Sequence, residues 1–208
     1  MRVSILYATS VLAFLGAAAI TQNWSEANRA HAADTAVNNG AGPSADDVTF
    51  MKKLAQGGLA EVEVGKMAVK RANDKDVKEF AQHMVDDHSK TNEKLKSLAS
   101  ERQVSLPTVI DPEQSATKSK LEMQGGAAFD ADYMSVQVKD HQKTVELLRH
   151  QIGHGQDAGV KGFAKDTLPT VSHHLEMARQ IHAKVGDPSS GDLSPRKTSK
   201  VTSGSNIE

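Results

Sequence analysis

Apolar residues recur at spacings of three and four along four long stretches of the chain. This spacing is the period of an amphipathic α-helix. The four predicted helices span about residues 44–72, 74–102, 127–152 and 158–185. Ser44 and Asp74 stand where the first two helices begin, and both are residue types that cap helices. Pro169 lies inside the fourth stretch and predicts a kink or a restart there.

A fifth, shorter helix is predicted in the connection between the second and third long helices. Asp111-Pro112-Glu113-Gln114 combines a capping residue, proline at the first helical position and glutamine at the third. Gly125-Gly126 then limits the length of this helix.

Amphipathic helices of about 25 residues must bury their apolar faces against one another. The sequence therefore predicts an all-α chain, a ferritin-like four-helix bundle over residues 46–185 with a short extra helix in the helix 2–3 connection. The short connections near residues 73 and 153–157 predict antiparallel pairs. The long connection permits a crossover along the bundle but does not require one.

The two ends of the chain are predicted to lie outside the bundle. Residues 1–32 have the features of a signal peptide: Arg2, an apolar run, and a small-residue cleavage site at Ala30-His31-Ala32. The apolar run is also long enough for the alternative, an uncleaved membrane anchor. Residues 33–45 predict a flexible spacer and residues 186–208 a disordered tail. We expect secretion across the inner membrane into the periplasm, with no transmembrane domain after cleavage.

Composition narrows the function. The net charge is -1, which with the lack of a basic stripe argues against nucleic acid as a partner. Aromatic residues make up only 4% of the chain, which favours helices over a β-sandwich. The absence of cysteine excludes disulfides, cysteine nucleophiles and thiolate metal ligands.

The string Asp-His-x-Lys-Thr occurs twice, at 87–91 and 140–144, and a shift of 53 residues aligns the two helices that contain it. Both histidines fall on apolar helix faces. Each long helix in fact carries one ionisable residue near the middle of its apolar face, so the four should lie at one level. These candidate metal ligands are Glu61, His88, His141 and His174.

Three interpretations of this cluster remain open. It could bind one divalent transition metal, Zn, Fe, Mn or Cu. It could form a metal-free hydrogen-bonded network that fixes helix register, or the four residues could lie on different faces. Asp87 and Asp140 precede their histidines and point about 100° away, so they are surface groups or groups that orient the ligands, and Tyr133 is placed with them. The paired Glu-x-x-His motifs of di-iron bundles do not occur, which disfavours a ferroxidase.

Four segments carry a family resemblance: FMKKLAQGGLAEVEVGKMAVKRA (50–72), VKEFAQHMVDDHSKTNEKLKSLA (77–99), FDADYMSVQVKDHQKTVELL (129–148) and TLPTVSHHLEMA (167–178). Together they resemble a large bacterial domain-of-unknown-function family of exported, ferritin-like helical bundles, often labelled outer-membrane or periplasmic. The resemblance covers about residues 46–184. It implies the helical bundle and export, but no reaction. The family pattern falls on Glu61, Met84, Asp87, His88, Phe129, Asp130, Tyr133, His141, Leu168, Pro169 and His174.

The sequence thus favours an exported accessory or binding protein, with a role that could be stress-related and a Glu/His cluster that could hold one divalent metal. One alternative is a metal-dependent redox enzyme or metal store, although a non-enzymatic role is favoured. Another is a structural or partner-binding bundle with a metal-free network. A protein partner or a homo-oligomer is compatible with each.

Overall fold

The computed structural model describes residues 42–186. Within this range the chain forms five helices and no strand: α1 (Ala45–Arg71), α2 (Lys75–Glu101), α3 (Pro112–Glu122), α4 (Gly126–His154) and α5 (Ala158–Val185). The prediction of an all-α chain is therefore confirmed. The predicted signal peptide, residues 33–41 of the spacer and all but the first residue of the tail lie outside the described residues and stay predictions. Between residues 42 and 186, no helix has the length and apolar character that crossing a membrane requires.

The helices begin where their capping residues stand. The Ser44 hydroxyl accepts from the backbone N–H of Asp47, and the Asp47 carboxylate accepts from the N–H of Ser44, which is a capping box. Asp74 accepts two backbone N–H groups at the start of α2. Asp111 accepts the N–H of Gln114 at the start of α3. Local side-chain chemistry thus sets these three starting points.

The fourth long helix continues through its proline. α5 is one helix from Ala158 to Val185 with Pro169 inside it, so the helix does not restart. Since proline has no N–H, the carbonyl of Lys165 loses its usual intrahelical donor. α4 likewise continues through Gly153 and ends at His154, two residues beyond the predicted end at 152.

The long helices pack as two hairpins. α1 contacts α2 and α4 contacts α5 most extensively, and the hairpins meet where α1 contacts α4 and α2 contacts α5. Two apolar clusters result. One combines the start of α1, the end of α2, the end of α4 and α5 as far as Leu175. The other combines the opposite ends of these helices with Leu121 of α3.

The connection between the hairpins crosses over. α2 ends at the first apolar cluster, whereas α4 begins at the second. Residues 102–125 therefore travel along the length of the helices, and α3 contacts both α1 and α4 on the way. This course places α3 beside the middle of the seam between those two helices.

Each hairpin holds the loop of the other through a buried carboxylate. Asp47 of α1 accepts the backbone N–H groups of Gln156 and Asp157, in the α4–α5 loop, at 3.1 and 3.0 Å. Asp130 of α4 accepts those of Asn73 and Asp74, in the α1–α2 loop, at 3.0 and 2.7 Å. We call Asp47 and Asp130 the end clamps. They fix the two hairpins against each other at both ends.

Glycine allows α1 to approach α2 closely on either side of Glu61. A Cβ at Gly65 would lie 2.9 Å from the Val85 side chain, and a Cβ at Gly58 would overlap the Asn92 side chain. Larger residues at these two positions would push the helices apart. The glycines therefore help to set how deeply Glu61 is buried.

Candidate metal centre

A polar layer lies between the two apolar clusters, at the middle of the helices. The four predicted ligands are all buried here, with exposed fractions of 8% for Glu61, 9% for His88, 1% for His141 and 2% for His174. Buried polar groups are costly unless they find partners. The contacts of each side chain therefore indicate what the layer can do.

Three histidines converge from three helices. Ligand atoms from His88 of α2, His141 of α4 and His174 of α5 all lie within 4.8 Å of one another. The Nε2 atoms of His88 and His141 are 3.4 Å apart. Each pair of rings has a centroid separation of 5.5 Å. We call these residues the histidine triad, and among the residues that the structure describes it is the one group of this kind.

A backbone carbonyl orients His141. Its Nδ1 lies 3.0 Å from the carbonyl oxygen of Gln137, one turn earlier in α4. Since a carbonyl only accepts, Nδ1 must carry the proton in this contact. The Nε2 atom then carries the lone pair, and it lies 3.4 Å from Nε2 of His88. Metal-binding histidines are typically held in one tautomer by such a contact.

A carboxylate orients His174. Its Nε2 lies 3.2 Å from Oδ2 of Asp87. Its Nδ1 is buried and has no hydrogen-bond partner among residues 42–186. A buried nitrogen without a partner carries a desolvation cost of about 1–3 kcal/mol. A metal bound at Nδ1 would remove that cost, so the residues fit a metal ion.

Glu61 does not converge with the triad. Its Oε2 accepts a hydrogen bond from Nε2 of Gln137 at 2.8 Å. Its Oε1 lies 3.8 Å from Nδ1 of His141, the nitrogen that faces away from His88. Glu61 thus stands behind His141, where its charge can act on the imidazole without contacting an ion held by the triad.

Burial keeps the triad neutral. Desolvation lowers the pKa of His141 to about 4, against the smaller effect of the Gln137 carbonyl. Desolvation and then the charge of His141 lower the pKa of His174 to about 4. Desolvation and both neighbouring histidines hold the pKa of His88 well below its usual range. Neutral imidazole is the form that binds metals, so the triad is ready to bind one at neutral pH.

The same burial acts in the opposite sense on the carboxylates of the layer. It raises the pKa of Glu61 to about 7, with the Gln137 hydrogen bond opposing it. Burial, and then the charge of Glu61, raises the pKa of Asp140 to about 6. Each carboxyl group therefore holds its proton at a higher pH than it would in water.

The three residues predicted to support the ligands have different positions. Asp87 contacts His174 directly, and Lys90 contacts the other oxygen of Asp87 at 3.5 Å. Asp140 is half-buried and lies within electrostatic reach of Glu61. Tyr133 belongs to the second apolar cluster, stacked on Phe129 at 5.9 Å. Its hydroxyl has no partner in the described part of the chain, and burial, then the charge of Glu61, raises its pKa well above the usual range.

A cleft of about 220 Å³ reaches the triad from outside. α3 forms part of its wall with Asp111, Glu113 and Gln114. The hydroxyls of Thr91 and Thr144, which also line it, each donate to a carbonyl four residues earlier at 2.8 Å. Their remaining lone pairs are free to accept hydrogen bonds from a ligand in the cleft.

Sequence reasoning missed Gln137 and the role of the end clamps. Gln137 precedes His141 by four residues, and this spacing places both on one helix face. The clamps carry a signal too, because Asp-x-x-aromatic-Met occurs at both 47–51 and 130–134. That repeat relates α1 to α4, whereas the Asp-His-x-Lys-Thr repeat relates α2 to α4.

Fold and site together define a helical protein with a buried, metal-competent histidine triad. The chain belongs to a family of domains of unknown function, DUF4142, whose model matches residues 31–181. The resemblance drawn from the sequence, to a bacterial family of unknown function, is thereby confirmed. Among curated proteins, none matches the chain significantly.

Several solved structures share the fold at low sequence identity. A DUF305 fragment from Deinococcus radiodurans is 11% identical, with a TM-score of 0.62 over 69% of this chain and 99% of its own. A DUF305 protein from Streptomyces coelicolor is 17% identical, with a TM-score of 0.58 over 69% and 95%. CopM in its Cu(II)-bound form is 14% identical, with a TM-score of 0.56 over 66% and 95%, and an Ag-bound form also matches.

Proposed function

We propose that this protein is an exported metal-binding accessory protein that holds one transition metal ion through His88, His141 and His174. The observation that carries the proposal is the convergence of three buried, neutral imidazoles, one of which has an unpartnered buried nitrogen. A core histidine with a purely structural role would have both nitrogens satisfied or in water.

The neighbours of the triad have distinct roles in this proposal. The Gln137 carbonyl and the Asp87 carboxylate hold the rings of His141 and His174 in orientation. Glu61, behind His141, supplies the negative charge that offsets the charge of the bound cation. A metal held by these three nitrogens would have a coordination position that the triad does not fill, as in metal sites that exchange a ligand.

The ligand set narrows the choice of metal. Imidazole suits copper and zinc, whereas magnesium, calcium and manganese prefer carboxylate and carbonyl oxygens. CopM, which shares the fold, has been solved with Cu(II) and with Ag. We therefore propose copper as the first ion to test, with zinc next.

We also propose a fold class and a cellular location for this protein. The cyclic contacts of the four long helices and the crossing connection support a ferritin-like four-helix bundle. The apolar N-terminal run with its cleavage site supports export to the periplasm. Export together with metal binding is compatible with a role in metal stress. The alternative, a redox enzyme or metal store, draws on the cleft that reaches the triad.

The test is the metal content of the full chain, purified without an affinity tag and loaded with Cu²⁺ or Zn²⁺. We expect about one ion per chain, measured by mass spectrometry, and its loss in the double variant His88→Ala/His141→Ala. The matched control is His150→Ala/His154→Ala, which removes two exposed histidines from α4. This control should retain the ion.

Two outcomes contradict the proposal. If wild-type protein stays metal-free after loading with either ion, the triad is a hydrogen-bonded network that fixes helix register. If the control pair loses the ion and the triad variant keeps it, the metal binds at the surface. Activity of the copper-loaded protein towards superoxide or peroxide would favour the enzyme alternative.

A further inference from the structure

Three carboxylates follow one another in space from the surface towards the triad. Glu113 of α3 is the outermost, with a side chain 86% exposed. Asp140 of α4 is half-buried, and Glu61 of α1 is buried beside His141. All three line the cleft that reaches the triad. The series thus follows the seam between α1 and α4, beside α3.

The middle member of the series shares a lining with each of the other two. Asp140 lines the cleft with Glu113 and Glu61, and it lines a second, small cavity with Glu61. Like charges repel, so such a row is unfavourable in the absence of a cation. A cation passing along it would meet a carboxyl group at each step.

A second observation at the same place points to a cation. Oε1 of Gln137 is buried and accepts no hydrogen bond from any residue between 42 and 186. Gln137 lines a small cavity of about 20 Å³ together with Glu61 and Asp140. That volume holds about one water-sized particle. A carbonyl oxygen and two carboxylates around such a space are ligands suited to a cation or a partly hydrated ion.

From this arrangement we propose that Glu113, Asp140 and Glu61 line the path by which the metal cation reaches the triad, with Glu61 beside His141 and outside the set of ligands. The inference rests on the proposed metal-binding function and adds a route to it. Lys143 stands at the outer end of the path, with its Nζ 3.9 Å from Glu113. Its positive charge opposes cation approach, so the two residues should affect metal uptake with opposite signs.

The experiment measures the rate of Cu²⁺ binding to the full chain by stopped-flow absorbance at low salt. Glu113→Gln should lower the association rate constant about 3- to 10-fold, because charged clefts raise the local concentration of their ligands. Lys143→Gln should raise it by a similar factor. Both variants should keep one ion per chain and an unchanged dissociation rate constant.

The matched control is Asp132→Asn, which removes the same charge from an exposed position on α4 outside the cleft. It should leave the association rate constant unchanged. Asp140→Asn should slow association as Glu113→Gln does, and added salt should reduce all of these differences.

The outcomes distinguish failure of the proposed path from failure of the proposed metal-binding function. If wild type binds one ion but Glu113→Gln and Lys143→Gln associate at the wild-type rate, the path is overturned and the metal-binding function stands. Equal slowing in Asp132→Asn would also overturn the path, because it would show an effect of net charge alone. If wild type binds no ion at equilibrium, both proposals fail.

Discussion

Carboxylates are buried both at the ends of the helices and in the middle, but their surroundings differ. Asp47, an end clamp, is fully buried and accepts two loop N–H groups, the Ser44 cap contacts and the Gln151 amide. Burial raises its pKa, but the bonds from Gln151, Ser44 and Asp157 outweigh burial and hold the pKa below its usual range. Glu61, in the middle, has one amide donor and a pKa raised to about 7.

The number of donors explains the difference. A carboxylate that accepts several N–H bonds is stabilised in its charged form, whereas one that is only desolvated is not. The end clamps therefore stabilise the fold, whereas the buried carboxylates of the middle layer are desolvated without enough donors and destabilise it. Perturbed groups of the latter kind are typical of functional sites. Stability and metal binding should thus respond to different residues.

The largest expected effect is acid unfolding through the middle layer. His141 and His174 have pKa values of about 4 when folded, against 6.5 when unfolded, so the unfolded state takes up protons first. Stability is present above pH 6.5 and is lost as the pH falls towards 4. Together the two histidines contribute a loss of about 6 kcal/mol, and the raised pKa values of Glu61 and Asp140 offset much of it. The histidine contribution is therefore measured as the difference between the wild type and a variant without these histidines.

Urea unfolding of EDTA-treated protein between pH 4 and 8 measures this loss. Between pH 8 and pH 4, the double variant His141→Asn/His174→Asn should lose about 6 kcal/mol less stability than the wild type. Parallel profiles for the two proteins would mean that these histidines are already protonated or exposed in the folded state.

The next largest effect is expected at the end clamp. Asp47→Ala should lower the free energy of unfolding by about 3 kcal/mol, because it leaves several buried N–H groups without an acceptor. The neighbouring exposed Asp46→Ala is the control and should cost less than about 0.5 kcal/mol. Urea unfolding at pH 7 compares the two. Equal small losses would show that water replaces the clamp.

Metal bound at the triad should raise the free energy of unfolding whether or not the end clamp Asp47 is present. Cu²⁺ at 100 times its dissociation constant should raise the free energy of unfolding by about 2.7 kcal/mol. Asp47→Ala, although less stable, should gain the same increment, whereas His88→Ala/His141→Ala should gain none. Thermal unfolding with and without Cu²⁺ measures the increments. Loss of the increment in Asp47→Ala would mean that the two regions act as one.

The smallest effect has the opposite sign. Glu61→Gln should make the metal-free protein more stable by about 2 kcal/mol at pH 8, because the buried charge is removed while the shape is kept. The folded pKa is raised, so the difference should shrink as the pH falls from 7 to 4.5 and vanish below. Urea unfolding at pH 8 and pH 4.5 tests this. A less stable variant at pH 8 would mean that Glu61 is ionised and paired.

Local chemistry made the helices predictable. Period, capping residues and glycines act within one or two turns, and Ser44, Asp74 and Asp111 begin their helices without distant contacts. The apolar face of each helix also follows from the sequence, since a helix must bury that face. For this reason the histidines of α2, α4 and α5 could be assigned to the interior at one level.

Other features depend on how the helices meet. A helical period specifies which face is inward, but not the distance between two inward side chains. Glu61 and His141 share a level, yet only the packing of α1 against α4 places the carboxylate behind the imidazole. The crossing of residues 102–125 was equally open, because a long connection is compatible with either course.

The sequence by itself therefore determined the helices, their caps, the inward histidines and the family. Tertiary structure alone decided the triad, the contacts of Gln137 and Asp87, the end clamps and the cleft that reaches the triad. The physical reason is one of range. Helix formation rests on hydrogen bonds four residues apart, whereas a site built from three helices rests on contacts between residues 53 and 87 positions apart.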